Sequence, residues 1–148
     1  MNHKYFSITE LCHSDTAVAK RIANVADVAT EERLSALIIN VLDPLRTAYG
    51  KAISVTSGYR CKRLNQVMGG VKNSQHVSGN AADITAGSKG ANRELAKLVV
   101  KLKLPFDQMI DERDFQWLHI SYVTDKPNRM EILRYNGVSY KKITESDL

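Results

Sequence analysis

A histidine and an aspartate lie seven residues apart in a segment that otherwise holds only small or uncharged side chains. They are His76 and Asp83, within residues 74–83, and a second histidine, His119, follows within residues 117–121. Two imidazoles and one carboxylate are a ligand set of catalytic zinc sites, which leave a fourth position open for water. The three side chains therefore predict a zinc site that performs hydrolysis.

The segment between His76 and Asp83 has to reverse its direction if both side chains bind one metal ion. Gly79 has the backbone freedom for such a reversal. Asp83 itself falls in a short apolar segment, where an ionised carboxylate is costly unless it is paired or bound to a cation. Each of these residues, taken alone, is also typical of a structural role. The metal site is therefore a hypothesis about His76, Asp83 and His119 acting together.

The strand expected over residues 117–123 adds a geometrical argument. Side chains alternate between the two faces of a strand, so Leu118 and Ile120 are expected in the core and His119 on the opposite face. By the same alternation, Asp83 and His119 share one face of the sheet if their strands are neighbours.

Peptide hydrolysis also needs a general base, which takes a proton from water and returns it to the leaving amine. Three carboxylates shortly precede His119, and we expect Glu112 to be the base, with Asp114 as second candidate and Asp111 left open. Arg60 is the candidate for holding a substrate carboxylate or a developing oxyanion, a structural ion pair being the alternative.

Length and composition fit one ordinary domain over residues 1–148, with a formal net charge of +5. The charge suits an anionic polymer as partner, but no nucleic-acid-reading motif is visible, so we expect no nucleic-acid partner.

No apolar run is long enough for a signal peptide or a membrane span. This predicts a protein without membrane insertion that stays in the cytoplasm until it is released. Cys12 and Cys61 are expected to be reduced thiols.

The elements that must position these residues can be read from hydrophobic periodicity. Residues 7–50 are expected to be helical, with helix starts at Ser7, Ser14 and Thr30 and a kink at Pro44. Further helices are expected over residues 61–68 and 92–102. The predicted strands cover residues 52–58, 81–85, 108–110 and 117–123, and a hairpin within residues 130–143 turns at Asn136-Gly137. The sum is an α+β fold with N-terminal helices packed on a small, mostly antiparallel sheet.

The motifs together resemble the D-Ala-D-Ala carboxypeptidase family of zinc peptidases, in particular its short phage- and prophage-associated, endolysin-like branch. The family pattern SxHxxGxAxD is matched in full by Ser74, His76, Gly79, Ala81 and Asp83. Residues 57–60, 64–65, 69–70 and 117–121 add to the resemblance, as do shorter stretches of the N-terminal half, so that it spans roughly residues 5–123.

This resemblance implies a fold shared with the hedgehog signalling domain and a peptidase that cleaves peptidoglycan stem peptides. It also implies zinc on His76, Asp83 and His119, and an arginine, Arg60, that contacts substrate or stabilises the oxyanion. The substrate-binding residues expected beside Arg60 are Ser74, Gln75 and Trp117. We expect a monomer with Zn²⁺ as cofactor and a peptidoglycan peptide as substrate.

The sequence departs from many relatives at Gln116. Those relatives place the catalytic acid three residues before the last histidine, where glutamine cannot act as a base. In this branch the matching glutamate lies further upstream, which again indicates Glu112. Two other functions stay open. One is a non-catalytic zinc-containing module that binds the cell wall, motivated by Gln116, and the other is a basic structural or nucleic-acid-binding protein, motivated only by charge.

Overall fold

A six-stranded sheet with the order β1-β2-β4-β3-β5-β6 is the framework of the fold in the computed structural model, which describes residues 2–148. The strands are β1 (Ser54–Ser57), β2 (Ala81–Thr85), β3 (Gln108–Glu112), β4 (Trp117–Ser121), β5 (Glu131–Tyr135) and β6 (Tyr140–Ile143). All neighbours are antiparallel except β3 and β5, which pair in parallel. The prediction of an α+β fold with a mostly antiparallel sheet is confirmed.

Helices supply most of the remaining structure. They are α1 (Ile8–Cys12), α2 (Asp15–Ala19), α3 (Val28–Leu37), α4 (Asp43–Tyr49), α5 (Lys62–Val67) and α6 (Lys89–Lys101), with a π-helical turn at Ile38–Leu42 and a 3₁₀ turn at Glu145–Asp147. None of the helices in the described part of the chain has the length and apolar character that a bilayer span requires.

The helix starts follow the capping residues. Ser7 accepts a hydrogen bond from the Glu10 amide and Ser14 from the Ala17 amide, each at 3.1 Å, as predicted. The start expected at Thr30 was wrong, because Asp27 caps α3 through the Thr30 amide at 2.8 Å and the helix begins at Val28.

Pro44 does not end the helical stretch in which it lies. The π-helical turn at Ile38–Leu42 leads directly into α4, with Pro44 in its first turn. A proline inside a helix lacks an amide hydrogen and crowds the preceding turn, and a π-helical turn is a known way to absorb such a change in hydrogen bonding. The chain therefore stays helical from α3 through the π-helical turn to Tyr49, and Gly50 caps the end.

One face of the sheet packs on the helices to form the core. Core side chains from β2 and β4 alternate along each strand and include Ala82, Ile84, Leu118 and Ile120, which cluster with Leu34, Leu37, Leu95 and Val99 of the helices. The residues between them, Asp83 and His119, belong to the opposite face. Burial of the apolar face thus sets which side chains point toward the other side of the sheet.

Candidate active site

A cleft of about 560 Å³ lies on the sheet face that bears Asp83 and His119. Its lining includes the expected metal ligands, the first choice for the general base and the expected substrate contacts: Arg60, Ser74, Gln75, His76, Asp83, Glu112, Trp117 and His119. These residues come from β2, β3, β4 and the two segments that flank α5, so the fold brings together positions that are far apart in the chain.

The centre of the cleft is the pair formed by Asp83 on β2 and His119 on β4. The two residues are direct partners in the antiparallel register, as strand alternation predicted. Asp83 Oδ1 lies 3.2 Å from His119 Nδ1 and 3.3 Å from His76 Nε2. All three side chains are buried, and one ligand atom from each lies within 4.8 Å of the others.

His76 reaches this pair from the segment between α5 and β2. Its Nδ1 donates to the Gly58 carbonyl at 2.7 Å, since a carbonyl oxygen only accepts. Gly79 lies three residues later with a φ of +76°, and a Cβ atom there would meet Thr30 Cγ2 at 2.7 Å. Glycine is therefore required both for the left-handed turn and for the close approach of this segment to α3.

The arrangement fits a tetrahedral metal ion such as zinc. Bonds of about 2.0–2.1 Å at tetrahedral angles place neighbouring ligand atoms about 3.3–3.4 Å apart, close to the 3.2 and 3.3 Å separations from Asp83 Oδ1. Because His76 carries its proton on Nδ1, its neutral ring turns the Nε2 lone pair toward a carboxylate oxygen. Two acceptors facing each other in a buried site require a cation between them or a proton on the ring.

Charge also keeps Asp83 ionised. Burial by itself would raise the pKa of this carboxyl. Without a metal ion, protons on the His76 and His119 rings take the place of the cation, and their charge and hydrogen bonds hold the pKa of Asp83 well below its usual range. Arg60 lies on the other side, with Nη2 3.5 Å from Asp83 Oδ2, and its Nε donates to Ser57 Oγ at 3.0 Å. Oδ1 is thereby left for the histidines.

Glu112 ends β3 directly opposite Trp117, the first residue of β4. Its carboxyl is buried in the cleft wall, and this burial raises its pKa to about 7. A carboxyl with a pKa near neutrality can both accept and return a proton under physiological conditions, which is what a general base requires.

The other two carboxylates that precede His119 lie elsewhere. Asp111 faces away from the cleft, where it pairs with Arg134 Nε at 2.7 Å and accepts from the Phe115 amide at 2.6 Å. Asp114 is exposed on the β3–β4 turn and forms an ion pair with Lys89 at 3.4 Å. Of the three candidates for the base, Glu112 is the one in the cleft wall.

One wall of the cleft was missed by sequence reasoning. Leu133, Tyr135 and Tyr140 of the β5–β6 hairpin line the cleft, and the two tyrosine rings stack with centroids 4.5 Å apart. The sequence predicted the hairpin, but it did not predict that the hairpin pairs with β3. Parallel pairing of β5 with β3 aligns Tyr135 with Glu112 and so brings the aromatic pair to the site.

Comparison with known proteins places this geometry in context. The family described as Peptidase M15 matches residues 4–121, which include every candidate metal ligand and Glu112 but leave the β5–β6 hairpin outside the match. The chain is also 39% identical, over 89 residues, to a zinc D-Ala-D-Ala carboxypeptidase from Streptomyces albus G. That alignment covers 57% of this chain and 32% of the relative, so the chain matches about a third of the length of that protein.

Proposed function

The chain belongs to the peptidase M15 family, and from this premise we propose that it is a zinc-dependent peptidase that hydrolyses an amide bond in peptidoglycan stem peptides. The observation that carries the proposal is the convergence of His76, Asp83 and His119 on one point of a cleft whose wall contains Glu112. The name of the Streptomyces albus G relative supports both the metal and the class of substrate.

The proposed metal ligands are His76 Nε2, Asp83 Oδ1 and His119 Nδ1. When bound, a zinc ion supplies a Lewis acid that acidifies water and polarises a carbonyl group. Three protein ligands leave a further coordination position, as hydrolytic zinc sites require. The sheet and the Gly58 carbonyl hold the ligand side chains in place before the metal arrives.

Glu112 is the proposed general base. Its carboxylate removes a proton from the attacking water and returns that proton to the amine that leaves. Burial in the cleft wall, which raises its pKa to about 7, makes both transfers feasible near neutral pH. Gln116, three residues before His119, is exposed and takes no part in this scheme.

Arg60 is proposed to steady negative charge on the substrate. Its guanidinium lines the cleft beside Asp83, where it can meet either the oxyanion that develops at the scissile carbonyl or a terminal carboxylate of the peptide. Ser74, Gln75 and Trp117 line the same cleft and are proposed substrate contacts. Tyr140 also lines the cleft, and it lies beyond the region that the family match covers.

The finer assignments are part of the same proposal. A carboxypeptidase that removes a terminal D-Ala and an endopeptidase that cuts an internal bond use the same chemistry. The resemblance of the motifs within residues 5–123 to the phage-associated branch supports a role in wall lysis. The sheet with helices on one face supports a hedgehog-type fold. Since one chain supplies every residue of the cleft, we propose that the unit of residues 1–148 acts as a monomer.

Digestion of purified peptidoglycan tests the function. The metal-stripped protein is incubated with and without added zinc, and the released products are identified by mass spectrometry. We expect zinc-dependent release of defined peptides, whose masses name the bond. Zinc and wall binding without peptide release, on walls of several types, would instead support the non-catalytic wall-binding module.

A further inference from the structure

Four side chains form a hydrogen-bonded series that runs from the protein surface to the metal site. Arg129 binds Asp107 in a bidentate manner, with Nε 3.0 Å from Oδ1 and Nη2 2.8 Å from Oδ2. Gln75 Nε2 donates to Asp107 Oδ2 at 3.0 Å. Gln75 Oε1 lies 3.3 Å from His119 Nε2. The last of these contacts involves a candidate metal ligand, through the ring nitrogen that does not face Asp83.

The orientation of the Gln75 amide follows from its neighbours. Asp107 is fully buried and held by the Arg129 guanidinium, so it is an ionised group that only accepts hydrogen bonds. It therefore faces the amide nitrogen of Gln75. The carbonyl oxygen of that amide is then left to face His119.

The protonation of the His119 ring follows in turn. An amide oxygen only accepts, so the contact with Gln75 Oε1 requires the His119 proton on Nε2. In the neutral ring the lone pair is then on Nδ1, the atom 3.2 Å from Asp83 Oδ1, and these two acceptors need a cation between them. The opposite tautomer would direct an N–H group at the position that the metal has to occupy.

His76 is held in a similar way, but the roles of its two ring nitrogens are the reverse of those in His119. Its Nδ1 donates to the Gly58 carbonyl at 2.7 Å and its Nε2 faces Asp83. Partners of this kind, which bind the ring nitrogen that is not a ligand, commonly fix the tautomer and the ring orientation of metal-binding histidines. For His119 that partner is a side chain, which can be replaced by mutation.

We infer that Gln75 is a positioning residue, which holds His119 in the tautomer and ring orientation that presents Nδ1 to the metal, and that Asp107 and Arg129 orient Gln75. The inference rests on the proposed metal site. It gives Gln75 a role within the protein in addition to its place in the cleft lining, because both ends of its amide have protein partners.

Replacement of Gln75 by methionine tests the inference. Gln75→Met keeps the length of the side chain but removes both the donor and the acceptor. We expect zinc affinity, measured by competition with a chromophoric chelator, to fall about 10- to 100-fold. Arg129→Gln, at a half-exposed position, should cause a smaller loss in the same assay. Gln66→Met, the same change at an exposed position of α5, should bind zinc like the parent protein.

The tautomer is read separately, in the metal-free protein, from ¹⁵N–¹H correlations of the imidazole rings. In the parent protein His119 Nε2 should carry a proton, whether or not Nδ1 also carries one toward Asp83, and Gln75→Met should lower the occupancy of the Nε2 proton. An unchanged tautomer or an unchanged zinc affinity in Gln75→Met overturns the inference. If the parent protein binds no zinc, the proposed function fails, while the tautomer measurement still decides whether Gln75 controls the His119 ring.

Discussion

Asp83 lies directly opposite His119 in the pairing of β2 with β4, and Asp83 Oδ1 is 3.2 Å from His119 Nδ1. The separation of these two ligand atoms is thus set by the main-chain register of the sheet. Mobile surface loops play no part in it. These two ligands are therefore preorganised by the paired strands, so little of their conformational entropy is lost when a metal ion binds.

Replacement of His119 by alanine should abolish metal binding and activity together. The proposed site would keep only two protein ligands, which is too few for a catalytic zinc site. The fold should persist, because the main-chain hydrogen bonds of β4 do not depend on the imidazole. Zinc content after dialysis and circular dichroism check the two parts. His13→Ala, at an exposed position, is the control and should retain stoichiometric zinc.

Replacement of Glu112 by glutamine should separate metal binding from catalysis. The variant should bind zinc normally, and its hydrolytic rate should fall about 100- to 10,000-fold, the usual contribution of a positioned base. Rates on a defined stem peptide, with zinc content measured in parallel, test this. Asp114→Asn, on the exposed turn, should keep the full rate. If Glu112→Gln retains full activity, the base is another group.

The same Glu112→Gln substitution should change the pH dependence of stability in the metal-free protein. Burial raises the pKa of Glu112 to about 7 from 4.5, so within this range the folded state binds more protons than the unfolded state. The free energy of unfolding therefore falls as pH rises from about 4.5 to about 7. Glutamine carries no such penalty, so its gain in Tm over the parent should be small at pH 4.5 and larger at pH 7.5. A constant gap between the two melting curves would contradict burial as the cause.

Alanine at position 79 should destabilise the protein more than alanine at position 50. Both glycines have a φ of +76°, but a Cβ atom at Gly79 would meet Thr30 Cγ2 at 2.7 Å, whereas Gly50 has nothing within 4 Å. Gly50→Ala should cost about 1–2 kcal/mol, the left-handed backbone penalty alone. Gly79→Ala adds steric conflict and should also weaken zinc binding, since the segment carries His76. Chemical denaturation and zinc titration compare the two.

Loss of the aromatic wall should affect substrate binding and leave the metal in place. Tyr140 stacks on Tyr135 at the rim of the cleft, so Tyr140→Ala removes contact surface without touching a proposed ligand. We expect a higher KM for stem peptides, with kcat and zinc affinity little changed. Val138→Ala, at a side chain that is 88% exposed on the same hairpin, is the matched control. Equal KM values for the two variants would exclude Tyr140 from the substrate site.

The sequence by itself determined which residue types the candidate site contains and much of the local structure. The candidate ligands His76, Asp83 and His119 can be recognised from their residue types and spacing alone. Because alternation of side chains along a strand is a local rule, the common face of Asp83 and His119 was predictable on the condition that their strands are neighbours. The caps at Ser7 and Ser14 are local as well. Asp27 shows the limit of such rules, because more than one polar residue was able to cap α3.

Tertiary structure decided which distant groups meet. Parallel pairing of β3 with β5 brought Tyr135 and Tyr140 to the cleft, and the approach of residue 75 to Asp107 created the contact with His119. It also assigned Asp111 to an ion pair and Glu112 to the cleft wall, although the two are adjacent in sequence. Periodicity describes one segment at a time, whereas strand order and register depend on burial summed over the whole chain, which no local pattern records.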